Sequence, residues 1–276
     1  MYCIYNCSHK LIKGGFMKKF LFILVLLSAF FSASAIFADA HLGISAGYSY
    51  ATMDDMKAGL DQMKEAALNL TPTSHVNMGD FGNSVYANID LDVGVNDFLS
   101  VGPRFGGQYV LPVNITITDP SDPSITTSNA YSALLIPVEI GVKTKLRLPV
   151  VPVLLTAGIY GGYGLAFVTQ GVNIAVNPGY SIPGFNAAVY NNLYQGGGLM
   201  ADGVGTAELM LGDNFTISIN LGYRKAAFNN LKSVDRVVIA GQTIIAPGQL
   251  VEDGTGQQRT ADFSGFNGGL GINLRF

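Results

Sequence analysis

The chain has 276 residues, of which 49% are hydrophobic, only 13% are charged and 34 are glycine, and its formal net charge is −3. That is roughly half the charged fraction of an ordinary soluble domain, and the lack of a basic excess argues against a nucleic-acid partner. Its two cysteines, Cys3 and Cys7, precede an expected cleavage point, so neither a disulfide nor a cysteine-based metal site is expected in the mature protein, and no cofactor is expected.

At the N-terminus Lys18 and Lys19 precede an apolar run from Phe20 to Phe31. Two small-x-small sites follow, Ala33-Ser34-Ala35 and Ala38-Asp39-Ala40. This is the layout of a secretory signal peptide, and the run is short for an inner-membrane anchor, which needs about 20 apolar residues. Residues 1–40 are therefore read as a removed signal, with translation expected to begin at Met17, and residues 41–276 as one domain. From residue 41 onward 12 Lys and Arg face 18 Asp and Glu, a net charge of −6.

Beyond residue 40 no apolar run is long enough for a membrane helix, but alternation with a period of two is plain. In Ser84 to Val95, the residues Val85, Ala87, Ile89, Leu91, Val93 and Val95 share one face. Phe215 to Arg224 places Phe215, Ile217, Ile219, Leu221 and Tyr223 together. Phe263 to Phe276 places Phe266, Leu270, Ile272, Leu274 and Phe276 opposite Asn267, Asn273 and Arg275. Leu42–Thr52, Val101–Leu111, Tyr131–Lys145, Val153–Val168 and Leu199–Leu211 complete eight strands. The connections alternate in length: long near 53–83, 112–130, 169–197 and 226–262, and short at Asn96-Asp97, Pro149–Pro152 and Gly212-Asp213-Asn214.

An apolar chain without membrane helices satisfies its backbone in lipid only by closing its strands. The expected fold is all-β: a closed antiparallel transmembrane β-barrel of eight strands, with long extracellular loops and short periplasmic turns. Phe98, Phe215 and Phe276 are expected in one interfacial girdle, and Tyr50, Tyr109, Tyr131 and Tyr223 in the other. Pro103 and Pro137 fall inside strands and are expected at bulges or strand ends, because proline lacks a ladder donor. Met53, Met56, Leu60, Met63 and Ala67 predict an amphipathic helix in the first loop, with Thr52 and Asp55 spaced as a capping box.

With its final Gly-Leu-Gly-Ile-Asn-Leu-Arg-Phe276, the chain resembles the small bacterial outer-membrane barrels of the OmpA/OmpX type over about residues 41 to 276. The resemblance implies the bacterial outer membrane as location, with Phe276 as the assembly signal for the barrel-assembly machinery. No peptidoglycan-binding domain is expected after Phe276.

Inward-facing positions collect both charge signs, Asp90, Asp92, Glu139 and Glu208 against Arg104, Lys143, Lys145, Arg224 and Arg275. In an eight-stranded barrel, whose interior is just wide enough for side chains, these are expected to fill the lumen as a hydrogen-bonded network. The alternative is a narrow ion path lined by the same charges. A lipid A-modifying enzyme would need a base, and His75 beside Ser74, with Asp80 and Ser84 near, allows a triad on paper. Ser, His and Asp are common loop residues, and no enzyme activity is expected. The cluster Gly158-Ile-Tyr-Gly-Gly-Tyr-Gly164 lacks the lysine and helix of a phosphate loop and is read as close packing. The expected role is a surface-exposed structural, adhesion or ligand-contact protein, with outer-membrane lipids and an unknown extracellular ligand as partners. A soluble exported β protein is the remaining alternative.

Overall fold

A computed structural model of the chain describes residues 40–70, 75–118, 125–176, 188–239, 242–252 and 258–276. The signal reading, apart from Ala40, lies outside these residues, as does Ser74. Ala40 already belongs to the first strand, one residue before the expected domain boundary.

The main strands are β1 (Ala40–Tyr50), β3 (Asn83–Asn96), β4 (Leu99–Thr118), β5 (Ile125–Arg147), β6 (Val153–Val176), β7 (Ala188–Met210), β8 (Phe215–Lys225) and β14 (Gly265–Arg275). One helix, α1 (Asp54–Leu70), follows β1. Short strands lie in the connections: β2 (His75–Met78), β9 (Ala227–Phe228), β10 (Lys232–Ser233), β11 (Val237–Ile239), β12 (Gln242–Ile245) and β13 (Ala261–Asp262). Each main strand pairs antiparallel with its neighbours, and β14 returns to β1 with His41 opposite Arg275 and Ser49 opposite Asn267. Of the ten strands in this sheet, β2 and β10 only flank it, and the other eight form the expected ring.

The ring is uneven in height. β1, β8 and β14 are 11 residues long, whereas β4 to β7 run from 20 to 24. A strand crosses a bilayer core in about 9 to 11 residues, so one wall rises about twice as far as the other at the end that carries the long connections. This corrects the expectation of loops at 112–130 and 169–197, whose described residues are mostly strand. Segments such as Ile115-Thr-Ile-Thr118 and Ile125-Thr-Thr127 are rich in β-branched residues and favour the pleat. They read as loop because their outward positions are polar instead of apolar. Two loop strands protect the raised wall's edges: β2 pairs β4 through His75↔Thr118, and β10 pairs β7 through Lys232↔Gln195.

The prolines also depart from expectation. Both lie within continuous strands, and neither marks a bulge or an end. The β3–β4 register passes from Asp90↔Arg104 to Val93↔Val101, skipping the positions beside Pro103. The β4–β5 register passes from Phe105↔Val138 to Gln108↔Leu135, skipping those beside Pro137. Each proline is thus accommodated by a two-residue interruption of pairing with one neighbour, without a change of register.

Outward faces below the raised wall are apolar. Ile140, Ile159, Leu199, Leu221, Phe266, Leu270 and Phe276 are all more than 60% exposed, a band that water alone would not tolerate. Phe98, Phe276, Tyr50, Tyr109 and Tyr223 are exposed at its two margins as expected. Tyr131 is not among them: it points inward and accepts a hydrogen bond from Gln170 Nε2 at 2.7 Å.

Candidate functional site

The alternation that sends apolar residues outward sends polar ones into the lumen, where they stack in layers. At mid-height Arg104 on β4 lies between two carboxylates. Its Nε is 2.6 Å from Asp90 on β3, and its Nη1 is 3.6 Å from Asp202 on β7. Arg224 on β8 reaches the same Asp202 oxygen at 2.8 Å and donates to Gln108 Oε1 at 3.0 Å. The Arg104 guanidinium also stacks 3.6 Å from the ring centre of Tyr160 on β6.

That ring has room because its neighbour across β5–β6 is Gly141, where a Cβ would sit 2.2 Å from a Tyr160 ring carbon. Within the glycine cluster a Cβ on Gly162 would lie 2.1 Å from the Val138 carbonyl oxygen. Close packing therefore accounts for Gly162, in agreement with the sequence reading.

One layer toward the turn end, Lys143 on β5 contacts Asp92 at 2.5 Å and Asp90 at 3.9 Å. Below it the Thr216 hydroxyl donates to Glu208 at 3.0 Å. Lys145 lies 3.1 Å from the His41 ring, and Arg275, paired with His41 across β1–β14, stands half-buried at the turn-end mouth. The nine residues expected in the lumen therefore divide. Asp90, Asp92, Arg104, Glu139, Lys143 and Arg224 form the enclosed centre, while Glu208, Lys145 and Arg275 line the turn end.

Sequence reasoning missed Asp202 and Tyr160. Asp202 lies three alternations before Glu208 on β7, so the same count that faced Glu208 inward would have reached it. Tyr160 was absorbed into the glycine cluster. Glu139 is placed as expected, opposite Arg104 and 3% exposed, but neither carboxylate oxygen has a hydrogen-bond partner among the described residues. The enclosed centre holds the cations Arg104, Lys143 and Arg224 against the anions Asp90, Asp92, Asp202 and Glu139, and Glu139 is the anion left without an ion-pair partner there.

Above this layer the chemistry changes in steps. Ser49, Ser84 and Gln108 form a neutral tier, with the Ser84 hydroxyl donating to the Ser49 carbonyl at 2.8 Å and Gln108 Nε2 donating to Ser84 at 3.1 Å. The next tier is apolar. Phe81, Val110, Leu135, Met200, Phe228 and Phe263 pack with Met53 and Leu60 into one fully buried cluster. The predicted helix forms, and its Leu60 and Met56, with Met53 just ahead of it, pack over the barrel mouth, whereas the side chains of Met63 and Ala67 lie outside the described ones.

The expected capping box does not form. The Asp55 carboxylate instead accepts from Arg259 Nη1 at 3.2 Å and from the Thr260 N–H at 2.5 Å, which ties α1 to the last connection. Beside it, burial alone would raise the Asp262 carboxyl, but hydrogen bonds from Ser264, including its N–H at 2.9 Å, hold it below the usual carboxylate range.

Within the lumen, from the central charged layer toward the turn end, a cavity lined by Asp90, Arg104, Lys143, Glu208 and Asn220 measures about 20 Å³, room for about one water. Of the residues from which a triad could be drawn, Ser84 is buried in the lumen whereas His75 is exposed on β2, and Ser74 lies outside the described residues. Among the described residues no group of three or more metal-ligating side chains occurs.

No protein-family model and no curated protein sequence matches the chain. Similar solved structures include Neisserial surface protein A, at 8% identity and TM-score 0.35, with 87% of this chain and 97% of that one covered. The outer membrane protein OprG of Pseudomonas aeruginosa aligns at 9% identity and TM-score 0.35, over 87% and 96%. Ail, the attachment invasion locus protein of Yersinia pestis, aligns at 10% and 0.32, over 87% and 99%. The fold assignment rests on this chain's own strand pairings.

Proposed function

We propose that the protein is an integral barrel of the bacterial outer membrane, delivered by a removed N-terminal signal, whose closed lumen makes it a scaffold and not a conduit. The observation that carries this reading is the stacking of a charged layer under an apolar roof. Ions crossing the lumen would have to break the Arg104–Asp90 and Arg224–Asp202 pairs and then enter a dry cluster built around Phe263 and Phe228. The outward apolar band supports burial in lipid, and Phe276 closes the last strand where the assembly machinery would read it. The raised wall of β4 to β7 and the connections above it then stand outside the cell as the surface for adhesion or ligand contact.

Planar-bilayer conductance of the purified, refolded protein tests the reading, with folding established by faster gel migration before boiling. No reproducible channel is expected. Steady openings whose ion selectivity changes in Glu139→Gln or Arg224→Gln would overturn it in favour of a pore. Recovery from the periplasmic fraction without detergent would overturn the membrane assignment.

A further inference from the structure

The outward face of the raised wall differs from the band below it. Past the rim set by the short strands, the register lines up Asn77 on β2, Thr116 on β4, Ser128 on β5 and Asn173 on β6 in one row across four strands. Asn114 and Asn191 stand at the two sides of the next row down. Asn77, Asn114, Asn173 and Asn191 are exposed and Thr116 and Ser128 half-exposed, while the opposite face of the same strands carries Val76, Ile115 and Val172 inward.

Across Val113–Thr118, Thr126–Ala133, Thr169–Asn173 and Asn191–Gly198 there is no Lys, Arg, Asp or Glu. No large apolar side chain of these stretches is among the exposed ones. β7 continues for 13 residues beyond Ala201, its last partner on β8, so the wall climbs about 40 Å along the strands at about 3.3 Å per residue. The uncharged polar rows occupy its upper part, above the exposed Leu199 and Tyr163.

This chemistry excludes most occupants. The central rows hold no lysine or arginine, the nearest basic side chains being His75 beside Thr118 and Lys232 beside Gln195 at the two edges. These rows therefore have nothing to pair with phosphate, sulfate or an acidic peptide, and without exposed aromatic or aliphatic anchors the face lacks the centre of a protein interface. What it offers is hydroxyl and carboxamide groups, each able both to donate and to accept, held on rigid strands so that little ordering entropy is lost on contact. Uncharged sugar units match that pattern, and single weak contacts repeated along a chain add up.

We infer that the outward face of the raised wall, centred on Thr116, Ser128 and Asn173, docks the neutral saccharide chains of the outer-leaflet glycolipid surrounding the barrel. This rests on the outer-membrane reading, which places the face directly above the lipid band and therefore among those sugars.

The test is hydrogen exchange on the full chain folded into nanodiscs. The discs contain phosphatidylcholine alone, added lipopolysaccharide with a long neutral polysaccharide, or added lipid A without sugar chains. Amides of residues 114–118, 126–132 and 169–173 are expected to exchange about tenfold more slowly with the long-chain glycolipid only. The double variant Ser128→Asp, Asn173→Asp is expected to lose that protection while keeping the gel shift of a folded barrel. Equal exchange in all three discs overturns the proposal. So does equal protection by lipid A, which would place the contact at the headgroup, or protection that grows with protein concentration, which would make a second copy the occupant. A chain that gives no gel shift in any disc overturns the barrel-in-membrane reading and this proposal with it.

Discussion

Two regions fill the same barrel by opposite means. The lumen around Arg104 and Asp202 is held by charges that have few alternatives once enclosed, whereas the roof around Phe263 and Leu135 is held by non-directional burial. In the lumen, removing one member strands its partners in a medium of low dielectric. In the roof, removing one side chain leaves a cavity that its neighbours partly close. The lumen therefore confers register and the roof confers closure, and substitutions in the two should fail differently.

Arg104→Met breaks the lumen most. It leaves Asp90 without its closest cation and removes the stacking on Tyr160, for an expected loss of about 3–5 kcal/mol in global unfolding, read as the urea midpoint of the folded protein in vesicles. A loss below about 1 kcal/mol would mean that the charges are independently solvated. Phe263→Ala should cost about 3 kcal/mol, but mainly at the loop end. Limited proteolysis of α1 and the last connection should accelerate while the heat-modifiable barrel persists, and a parallel collapse of the barrel would make roof and lumen one cooperative unit.

Glu139→Gln sharpens the contrast from inside the lumen. Because this carboxylate has no polar partner among the described residues, the variant should lie within about 1 kcal/mol of the parent or be more stable. A loss like that of Arg104→Met would show that Glu139 carries a pairing of its own.

The smallest effect belongs to Asp262. Its folded pKa is below the unfolded value, so its stabilisation is fully present above pH of about 4 and is lost as pH falls through the folded value. Exchange at the Ser264 amide should accelerate in that acid range and lose this pH dependence in Asp262→Asn.

The lumen was legible wherever alternation was strict. In β3 and β8 every second residue is polar or glycine, so Asp90, Asp92 and Arg224 could be faced inward by counting. In β7 glycines blur the pattern, and Asp202, which joins two arginines, was lost with it. The roof was only half legible. Met53 and Leu60 announced a helix, but nothing local states that Asp55 would turn to Arg259, more than two hundred positions away. The raised wall was hidden because an apolar outward face is the usual mark of a barrel strand, and the outward face of these strands turns polar before they end.

By itself, then, the sequence determined the elements whose two faces meet different solvents: eight alternating strands, their short turns and the sign of the lumen's charges. Period-two patterning is a local record of which side chain meets lipid and which does not. Only the tertiary structure decided which charges pair, how the prolines are accommodated, and where the strands stop. Those depend on neighbours brought together by ring closure, and a strand with water-tolerant residues on its outer face is recognisable only beside the partner that satisfies its backbone.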